Sequence, residues 1–308
     1  MAAPRGDSPE DAALLVSGHV NVDRFLTFAR WPPLDRTAPV TSERTLLGGT
    51  AANLARVTAG AGLRTGLVAR VGGDFPPPFL RALRDGGVDC RGVERVPGLP
   101  TPTCYILADR HHAQRTLIQQ GPMGDSDARP PSSLPWSGYR WLHVTTGPVA
   151  WQLALAEAAR RNGLRVAADP AQEIHYRWDA RSLARLLGLS EILFGNRAEI
   201  ARAARLAGGR SARDLLPMVP LVIETGGPRG VRVHTRSGGF RVAAERPRRI
   251  DTLIGSGDAF RGGFYTGWFA GDPLDACVRR GIRTATRWIE GRWLRPILLK
   301  PSSGIVAP

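Results

Sequence analysis

The sequence predicts an α/β protein in which a mostly parallel sheet is flanked by helices. In the second half of the chain, apolar stretches that suit buried strands alternate with helical periodicity; strands are expected at 141–145, 164–168 and 191–194, and a helix at 151–161. A glycine-rich turn at 255–257 then opens another helix, in which Phe260, Phe264 and Trp268 recur every four residues. Strands that alternate with helices in this way form a parallel sheet covered on both faces.

Length and composition bound the class of protein. The 308 residues are 43% hydrophobic and 22% charged, as in soluble globular proteins, and no linker or internal repeat interrupts them. We therefore expect a single domain over residues 1–308, with flexible ends at 1–11 and 291–308. No apolar run reaches the roughly 18 residues of a membrane helix, and the polar start has no signal-peptide core. These features predict a cytoplasmic protein with no membrane partner.

Lysine and cysteine are scarce, and each scarcity excludes a kind of site. Lys300 is the only lysine among 42 basic residues and follows no glycine loop. P-loop and protein-kinase sites both need a lysine on the phosphates, so both classes are excluded. The three cysteines are widely spaced, lack metal-ligand spacing and are expected to be reduced core thiols: Cys90, Cys104 and Cys277.

The net charge of +15 raises the question of nucleic-acid binding. The basic residues are scattered along the chain in short pairs such as Arg160-Arg161 and Arg279-Arg280, and they form no basic stripe. We therefore expect no specific nucleic-acid partner.

Two polar residues follow the first predicted strand, at 12–18. Asn21 and Asp23 come just past its end, which is where ligands bind in open parallel sheets, although an ordinary Asx turn is the alternative interpretation. Further along, Gly48 and Gly49 precede an alanine-rich helix. That helix places Asn53 near its first turn, a pattern that is weak in isolation.

The middle of the chain carries strand patterns that are too short for the main sheet. Alternating stretches lie near 36–46 and within 101–119, where a polar turn separates two strands. His111, His112 and Arg115, in and just after this turn, either face a ligand or are solvated turn residues, and the second interpretation is preferred.

Two short motifs follow strands in the second half. Asn196 and Glu199 form an Asn-x-x-Glu sequence, which by itself indicates a capped helix start. Thr225, Gly227 and Gly230 follow a short buried strand at 221–224, where a glycine turn is the ordinary interpretation.

The helix start at Gly255-Ser256-Gly257-Asp258 carries the strongest chemical pattern. Glycines let the backbone approach a ligand, and the first-turn N–H groups of a helix point outward without partners, which makes an anion site. A carboxylate beside such a cradle can accept a hydroxyl proton while the cradle holds a phosphoryl group.

The string Asp251-Thr-Leu-Ile-Gly-Ser-Gly-Asp258-Ala-Phe resembles the Asp-Thr-x-Gly-Ala-Gly-Asp-x-Phe signature of the ribokinase (PfkB) carbohydrate kinases. The resemblance implies a ribokinase-like three-layer sandwich with a small β-sheet lid, to which the strands near 36–46 and 101–119 would belong. It also implies phosphoryl transfer from ATP, with Mg²⁺, to a hydroxyl of a sugar or nucleoside. Within the family, the run Asp-Ala-Phe-Arg-Gly-Gly-Phe is similar to archaeal nucleoside kinases. A homodimer through the lid is a further expectation.

The resemblance assigns roles to the motifs described above. The general base would be Asp258, and the amides that hold the transition-state oxygens would be those of Gly255, Ser256 and Gly257. The acceptor would be bound by Asn21, Asp23, Gly48, Gly49 and Asn53. The nucleotide would be bound by Asn196, Thr225, Gly227 and Gly230, and Mg²⁺ by Glu199.

One departure from the signature concerns the residues before the cradle. Leu253 and Ile254 stand where the family usually has one residue. We expect a bulge that leaves Gly255 to Asp258 in register, with both apolar side chains packed against the core. Any monovalent-cation dependence that the family derives from this region would then be weak or absent. The alternative is a catalytically impaired member that serves as a ligand- or nucleic-acid-binding regulatory protein.

Overall fold

The computed structural model describes residues 13–110, 114–131, 133–294 and 296–299, in which the chain forms two sheets and seven helices. The strands are β1 (Ala13–Ser17), β2 (Asn21–Phe28), β3 (Val40–Gly48), β4 (Arg64–Gly72), β5 (Val88–Val96), β6 (Thr103–Asp109), β7 (Gln114–Gln119), β8 (Trp141–Val144), β9 (Arg165–Ala168), β10 (Ile192–Asn196), β11 (Leu221–Thr225), β12 (Val231–Thr235), β13 (Gly238–Val242) and β14 (Leu298–Leu299). The helices are α1 (Thr50–Gly60), α2 (Pro77–Asp85), α3 (Val149–Arg161), α4 (Ala180–Leu189), α5 (Arg197–Leu206), α6 (Ser256–Phe269) and α7 (Leu274–Ile289).

The main sheet has nine strands in the order β13-β12-β11-β10-β9-β8-β1-β4-β5. Neighbouring strands from β11 to β5 run parallel, and only β12 and β13 join antiparallel at one edge. The strand–helix alternation predicted from the sequence is therefore the architecture of this sheet.

Helices cover both faces of the main sheet. One buried cluster joins the sheet to α1, α2, α6 and α7, with Phe264 and Tyr265 among its fully buried side chains. The other joins it to α3, α4 and α5, around residues such as Trp151 and Leu186. The central strands β1 and β8 are consequently buried along their whole length, as expected for strands that are covered on both sides.

The second sheet, which we call the lid sheet, has five strands in the order β14-β3-β2-β6-β7. It is built from two predicted lid regions together with two strands that the sequence did not identify, β2 and β14. Asn21 and Asp23 therefore lie in a strand, paired with Gly48 and Leu46 of β3, and the alternative interpretation of this stretch as an ordinary Asx turn is wrong. Only Gly18, His19 and Val20 separate β2 from the buried strand β1, which is why the two read as one strand followed by a turn.

The segment after α7 contributes to the lid sheet as far as the structure describes it. β14 pairs antiparallel with β3, and the Leu47 N–H donates to the Ile297 carbonyl at 2.9 Å. Of the predicted flexible ends, residues 1–11 and 300–308 lie outside the described residues, as does Lys300. In the part of the chain that is described, no helix is long and apolar enough to span a membrane.

Candidate active site

A cleft of about 1390 Å³ lies between the lid sheet, the start of α6 and the ends of β10 and β11. Every site residue predicted from the sequence lines this cleft except Gly48. A smaller cavity of about 590 Å³ at the starts of α3 and α4 contains none of them. Segments that are far apart in the chain are thus brought to one place.

Gly255 begins the cradle and is the N-cap of α6, with φ of 78° in the left-handed region. A side chain at this position would also collide, because an added Cβ would lie 2.8 Å from Trp288 and 3.1 Å from the Asn53 amide nitrogen. No side chain caps the helix, and no bond from the Gly257 or Asp258 N–H is present among the described residues, so these two amides remain available to a ligand. The Ser256 N–H donates a long hydrogen bond of 3.3 Å to the Leu253 carbonyl.

Asp258 lies in the first turn of α6 and is half-buried. Its Oδ2 accepts a hydrogen bond of 3.0 Å from Asn53 Nδ2, which joins the two glycine motifs of the sequence directly. Burial raises the pKa of Asp258 to about 7, against the opposing effects of the Arg261 charge and the Asn53 hydrogen bond. A carboxyl group with this pKa is half-ionised at neutral pH and can take up a proton.

Asn21 and Asp23 line the part of the cleft that the sequence assigns to the acceptor, which we call the acceptor end. Both are buried, and Oδ1 of each has no hydrogen-bond partner among the described residues. Burial also raises the pKa of Asp23 to about 7. Buried acceptor oxygens without partners are costly, so two of them side by side indicate a ligand with hydroxyl donors.

Gly48 does not line the cleft but lies directly behind Asn21 and Asp23. It pairs across the strands with Asn21, and an added Cβ would lie 1.9 Å from Asp23 Oδ2. Only glycine therefore leaves room for the Asp23 carboxylate. Gly49 is restricted for another reason: its φ is 99°, and a Cβ there would meet the His19 carbonyl oxygen at 2.4 Å.

The remaining lining of the acceptor end is uncharged. Besides the residues already described, it consists of Thr50, Cys104, Ile106, Thr116, Ala171 and Gln172. Cys104 is half-buried beside Asp23 in the neighbouring strand, so the expectation that all three cysteines lie in the core is wrong for this one. Arg115 is exposed and stacks over the Trp31 ring at 4.5 Å, whereas His111 and His112 lie outside the described residues.

The nucleotide end predicted from the sequence lies where β10 and β11 finish. The Asn196 side chain caps α5, and the Asn196 N–H donates to Glu199 Oε2 at 2.6 Å, so the capping box is present as the sequence indicates. Thr225 ends β11, and Gly227 and Gly230 follow it with φ of 55° and 79°.

The segment that crosses this end from β13 to α6 is basic. Gly230 packs closely against it, since an added Cβ would lie 3.0 Å from the Ala243 Cα. Three arginines of the segment line the cleft: Arg246, Arg248 and Arg249. This end of the cleft is therefore suited to an anion, whereas the acceptor end is not.

Few of the described side chains could coordinate a divalent cation. Glu199 is buried, burial raises its pKa, and one of its oxygens is held by Asn196. The described residues contain no group of three His, Cys, Asp or Glu that could hold a metal ion. Mg²⁺ is commonly bound by one or two carboxylates together with substrate phosphates and water, so a single buried glutamate beside an anion site fits this ion.

The extra residue before Gly255 is absorbed in a short turn. The Ile254 N–H donates to Thr252 Oγ1 at 3.1 Å, and the Ile254 carbonyl accepts from Trp288 Nε1 at 2.7 Å. Leu253 is 63% exposed, so the expectation that it packs against the core is wrong. The turn between Thr252 and Ile254 directs Leu253 to the rim of the cleft, while Gly255 still begins α6.

Sequence reasoning missed two charged residues beneath the site. Arg261 is buried one turn after Asp258, and its guanidinium forms a bidentate ion pair with the buried Asp169. A sign of each is present in the sequence: Asp169 ends a strand of the parallel sheet, and Arg261 follows the proposed base by three positions on a helix.

Comparison with known proteins agrees with this geometry. A family model described as pfkB family carbohydrate kinase matches residues 12–291. The nucleoside kinase of Methanothermobacter thermautotrophicus is 31% identical over 285 residues, which cover 91% of this chain and 90% of that protein. The ATP-dependent ribose-1-phosphate kinase of Halopiger xanaduensis is 30% identical over 276 residues, with 88% of each chain covered.

Solved structures share the same fold. The crystal structure of the Methanocaldococcus jannaschii nucleoside kinase, an archaeal member of the ribokinase family, matches with a TM-score of 0.83 at 24% identity. The match covers 91% of this chain and 92% of that one. The predicted ribokinase-like sandwich, with a large mostly parallel sheet and a small second sheet, is confirmed.

Proposed function

Because the chain belongs to the pfkB family of carbohydrate kinases, we propose that it transfers the γ-phosphoryl group of ATP to a hydroxyl group of a nucleoside, with Asp258 as the general base. The observation that carries the proposal is the shared cleft. Asp258, hydrogen-bonded to Asn53, opens onto the same space as the unpartnered oxygens of Asn21 and Asp23.

Each end of the cleft has a distinct role in this proposal. Asn21 and Asp23 accept hydrogen bonds from hydroxyls of the acceptor and thereby fix its orientation, which removes rotational freedom before the reaction. The attacking hydroxyl gives its proton to Asp258. The amides of Gly255, Ser256 and Gly257, at the positive end of α6, stabilise the charge that develops on the transferred group.

The nucleotide is assigned to the end lined by Asn196, Thr225, Gly227 and Gly230. Arg246, Arg248 and Arg249 supply positive charge there in place of the lysine that other kinase classes use. Glu199 is the residue that would hold Mg²⁺. When bound, this ion neutralises charge on the phosphates.

The nucleoside, rather than a sugar phosphate, is proposed as acceptor on the basis of charge. Of the described lid-sheet residues that line the cleft, Asp23 is the only charged one. A phosphorylated sugar would bring a second anion to a place that has a carboxylate and no described cation, and like charges repel. The uncharged lining contributed by Cys104, Ile106 and Thr116 suits the flat, neutral body of a base.

The test is a turnover assay with ATP and Mg²⁺ against nucleosides, ribose, fructose and ribose phosphates, with Asp258→Asn as the control for contaminating activity. We expect phosphorylation of at least one nucleoside with a kcat/KM above that for any sugar phosphate. Turnover of sugar phosphates alone would contradict the choice of acceptor. A parent protein that binds nucleosides in calorimetry but phosphorylates none would support the regulatory alternative instead.

A further inference from the structure

The ion pair between Arg261 and Asp169 lies directly beneath the cradle. Arg261 Nη2 donates to Asp169 Oδ1 at 2.7 Å, and Nε contacts Oδ2. The guanidinium also lies against the backbone of the cradle, because a Cβ added to Gly257 would be 2.8 Å from Arg261 Nη1. Both side chains are almost fully buried, at 6% and 2% exposed, yet Arg261 reaches the lining of the cleft.

The pair is held rigidly from below. The Asp169 N–H donates to the Val144 carbonyl at 2.8 Å, and His143 Nε2 lies 3.5 Å from Asp169 Oδ2. His143 Nδ1 is in turn 2.8 Å from the Tyr265 hydroxyl, one turn beyond Arg261 on α6. Burial lowers the pKa of His143, so the ring is neutral and adds no charge of its own. The Phe194 ring lies 5.8 Å from the guanidinium carbon and keeps water away from it.

A buried ion pair of this kind is poorly explained by stability alone. Desolvation of two charges offsets much of their attraction, and well-packed apolar residues are often as stable. The position of this pair, within one helical turn of Asp258, gives its charges a direct electrostatic effect on the cleft, where water screens them little.

We propose that the Arg261–Asp169 pair is a positioning element that sets the charge at the site. Arg261 holds one positive charge beneath the cradle and favours the ionised form of Asp258. Asp169, with its negative charge, reduces the effect of Arg261 on Asp258. The inference rests on the proposed function, in which ionised Asp258 accepts the hydroxyl proton. The other groups that act on Asp258 are Asn53 of α1, which donates a hydrogen bond, and Asp23 of β2, whose charge opposes ionisation. Glu199 of α5 interacts with Arg261 as well.

The proposal predicts shifts of opposite sign. Arg261→Gln removes the positive charge and should raise the pKa of Asp258, whereas Asp169→Asn leaves that charge unopposed and should lower it. Each shift should be up to roughly two pH units, the size expected for a unit charge about one helical turn away at an effective dielectric constant of ~20. Arg261→Lys keeps the charge and should titrate like the parent protein. The matched control is Arg165→Gln, which breaks the ion pair between Arg165, at the start of β9, and Glu191, just before β10, away from the cleft.

The primary measurement is an NMR titration of ¹³C-labelled aspartate carboxyls, with the Asp258 and Asp23 signals assigned from their Asn variants. The secondary measurement is the acidic limb of the kcat–pH profile. Asp258 pKa values in both charge variants that equal that of the control would overturn the proposal, because a purely structural pair lowers stability without moving this titration. If Arg261→Gln does not fold, Asp169→Asn decides alone, and an unchanged or raised pKa overturns the inference. Absence of turnover in the parent would refute the proposed function, while the NMR titration would still judge the inference.

Discussion

At the scale of single residues, we propose that Asp258 takes the proton of the acceptor hydroxyl and does not bind the acceptor tightly. Asp258→Asn should lower kcat by roughly 10²–10⁴, the usual contribution of a general base, while acceptor affinity changes little. Steady-state kinetics and calorimetry would measure the two quantities. Asp275→Asn is the matched control, since Asp275 also lies in the first turn of a helix but pairs with Arg279 at the surface, away from the cleft. An Asp258→Asn enzyme within a few-fold of the parent would remove this residue from the role of base.

Asp23, which we propose binds the acceptor, lowers the stability of the folded protein when it is ionised. Its pKa is about 7 in the folded protein and ~3.9 in an unfolded chain, so the folded state binds more protons between these values. Stability therefore falls as the pH rises from about 4 to 7. We expect Asp23→Asn to raise the melting temperature at pH 8, to leave it unchanged near pH 4, and to raise the KM for the acceptor far more than that for ATP. Scanning calorimetry and kinetics would check this; a variant that melts lower than the parent at pH 8 would show that the carboxylate supports the fold.

Most residues of the site were predictable from the sequence because glycine and charge patterns mark them locally. Gly48 is instructive, since it lies behind the lining and leaves room for Asp23. Arg261 and Asp169 were missed because a buried arginine on an apolar helix face and an Asp-Pro strand end each have an ordinary interpretation. Only the distance between them in space, across 92 positions of sequence, makes them a pair.

At the scale of elements, α6 and the parallel strands β1, β8, β9, β10 and β11 were predicted because their apolar pattern is continuous. The parallel strand β5 was not, because polar residues interrupt it. β2 was missed because it begins with two polar side chains, Asn21 and Asp23, that line the cleft, so its start lacks the pattern of a buried strand. α4 was also missed, although Asp179 and Ser182 form a capping box before its leucines. β13 is rich in glycine and mostly exposed, so its residues show no strand-like apolar pattern. It forms a strand because it pairs with β12.

The turn before the cradle gives a prediction about the extra residue. Deletion of Ile254 removes the carbonyl that accepts the hydrogen bond from Trp288 and changes the path of the chain into Gly255. Because a small misplacement of the groups at an active site slows the reaction, we expect kcat/KM to fall by about tenfold or more. Leu253→Ala, at an exposed position, is the control and should behave like the parent. The comparison of both variants in one turnover assay checks this. A parent without activity that the deletion restores would mean that the extra residue has disabled the site.

A positively charged side chain, Arg249, lies beside the turn that precedes the cradle. Arg249 Nη2 contacts Asp251 Oδ2 at 3.0 Å, and its Nε donates to the Glu290 carbonyl at 3.0 Å, so a guanidinium bridges the two loops beside the cradle. We expect turnover to be the same in buffers of K⁺, Na⁺ or tetramethylammonium. We interpret Arg249 as taking the place of a bound monovalent cation. Turnover that is faster in K⁺ than in the other two buffers would contradict this interpretation.

At the scale of the whole molecule, the charge of +15 should be visible in non-specific binding. Scattered arginines attract nucleic acid weakly, so we expect sequence-blind binding with Kd no tighter than about 10⁻⁶ M near physiological salt, and a steep loss as salt rises. Filter binding against several RNAs and DNAs over a salt series would measure it. A nanomolar complex that selects one sequence would contradict the interpretation of this charge as a general surface property.

The pairing of β14 with β3 has a consequence for the order in which the molecule is made. The ribosome completes β3 long before residues 297–299, so the outer edge of β3 is exposed while the main sheet, α6 and the cradle already exist. An open strand edge is the part of a protein that most readily pairs with another chain. All the residues that line the cleft are therefore made before β14, and the edge of the lid sheet is the surface at which a stalled nascent chain would self-associate or be bound by a chaperone.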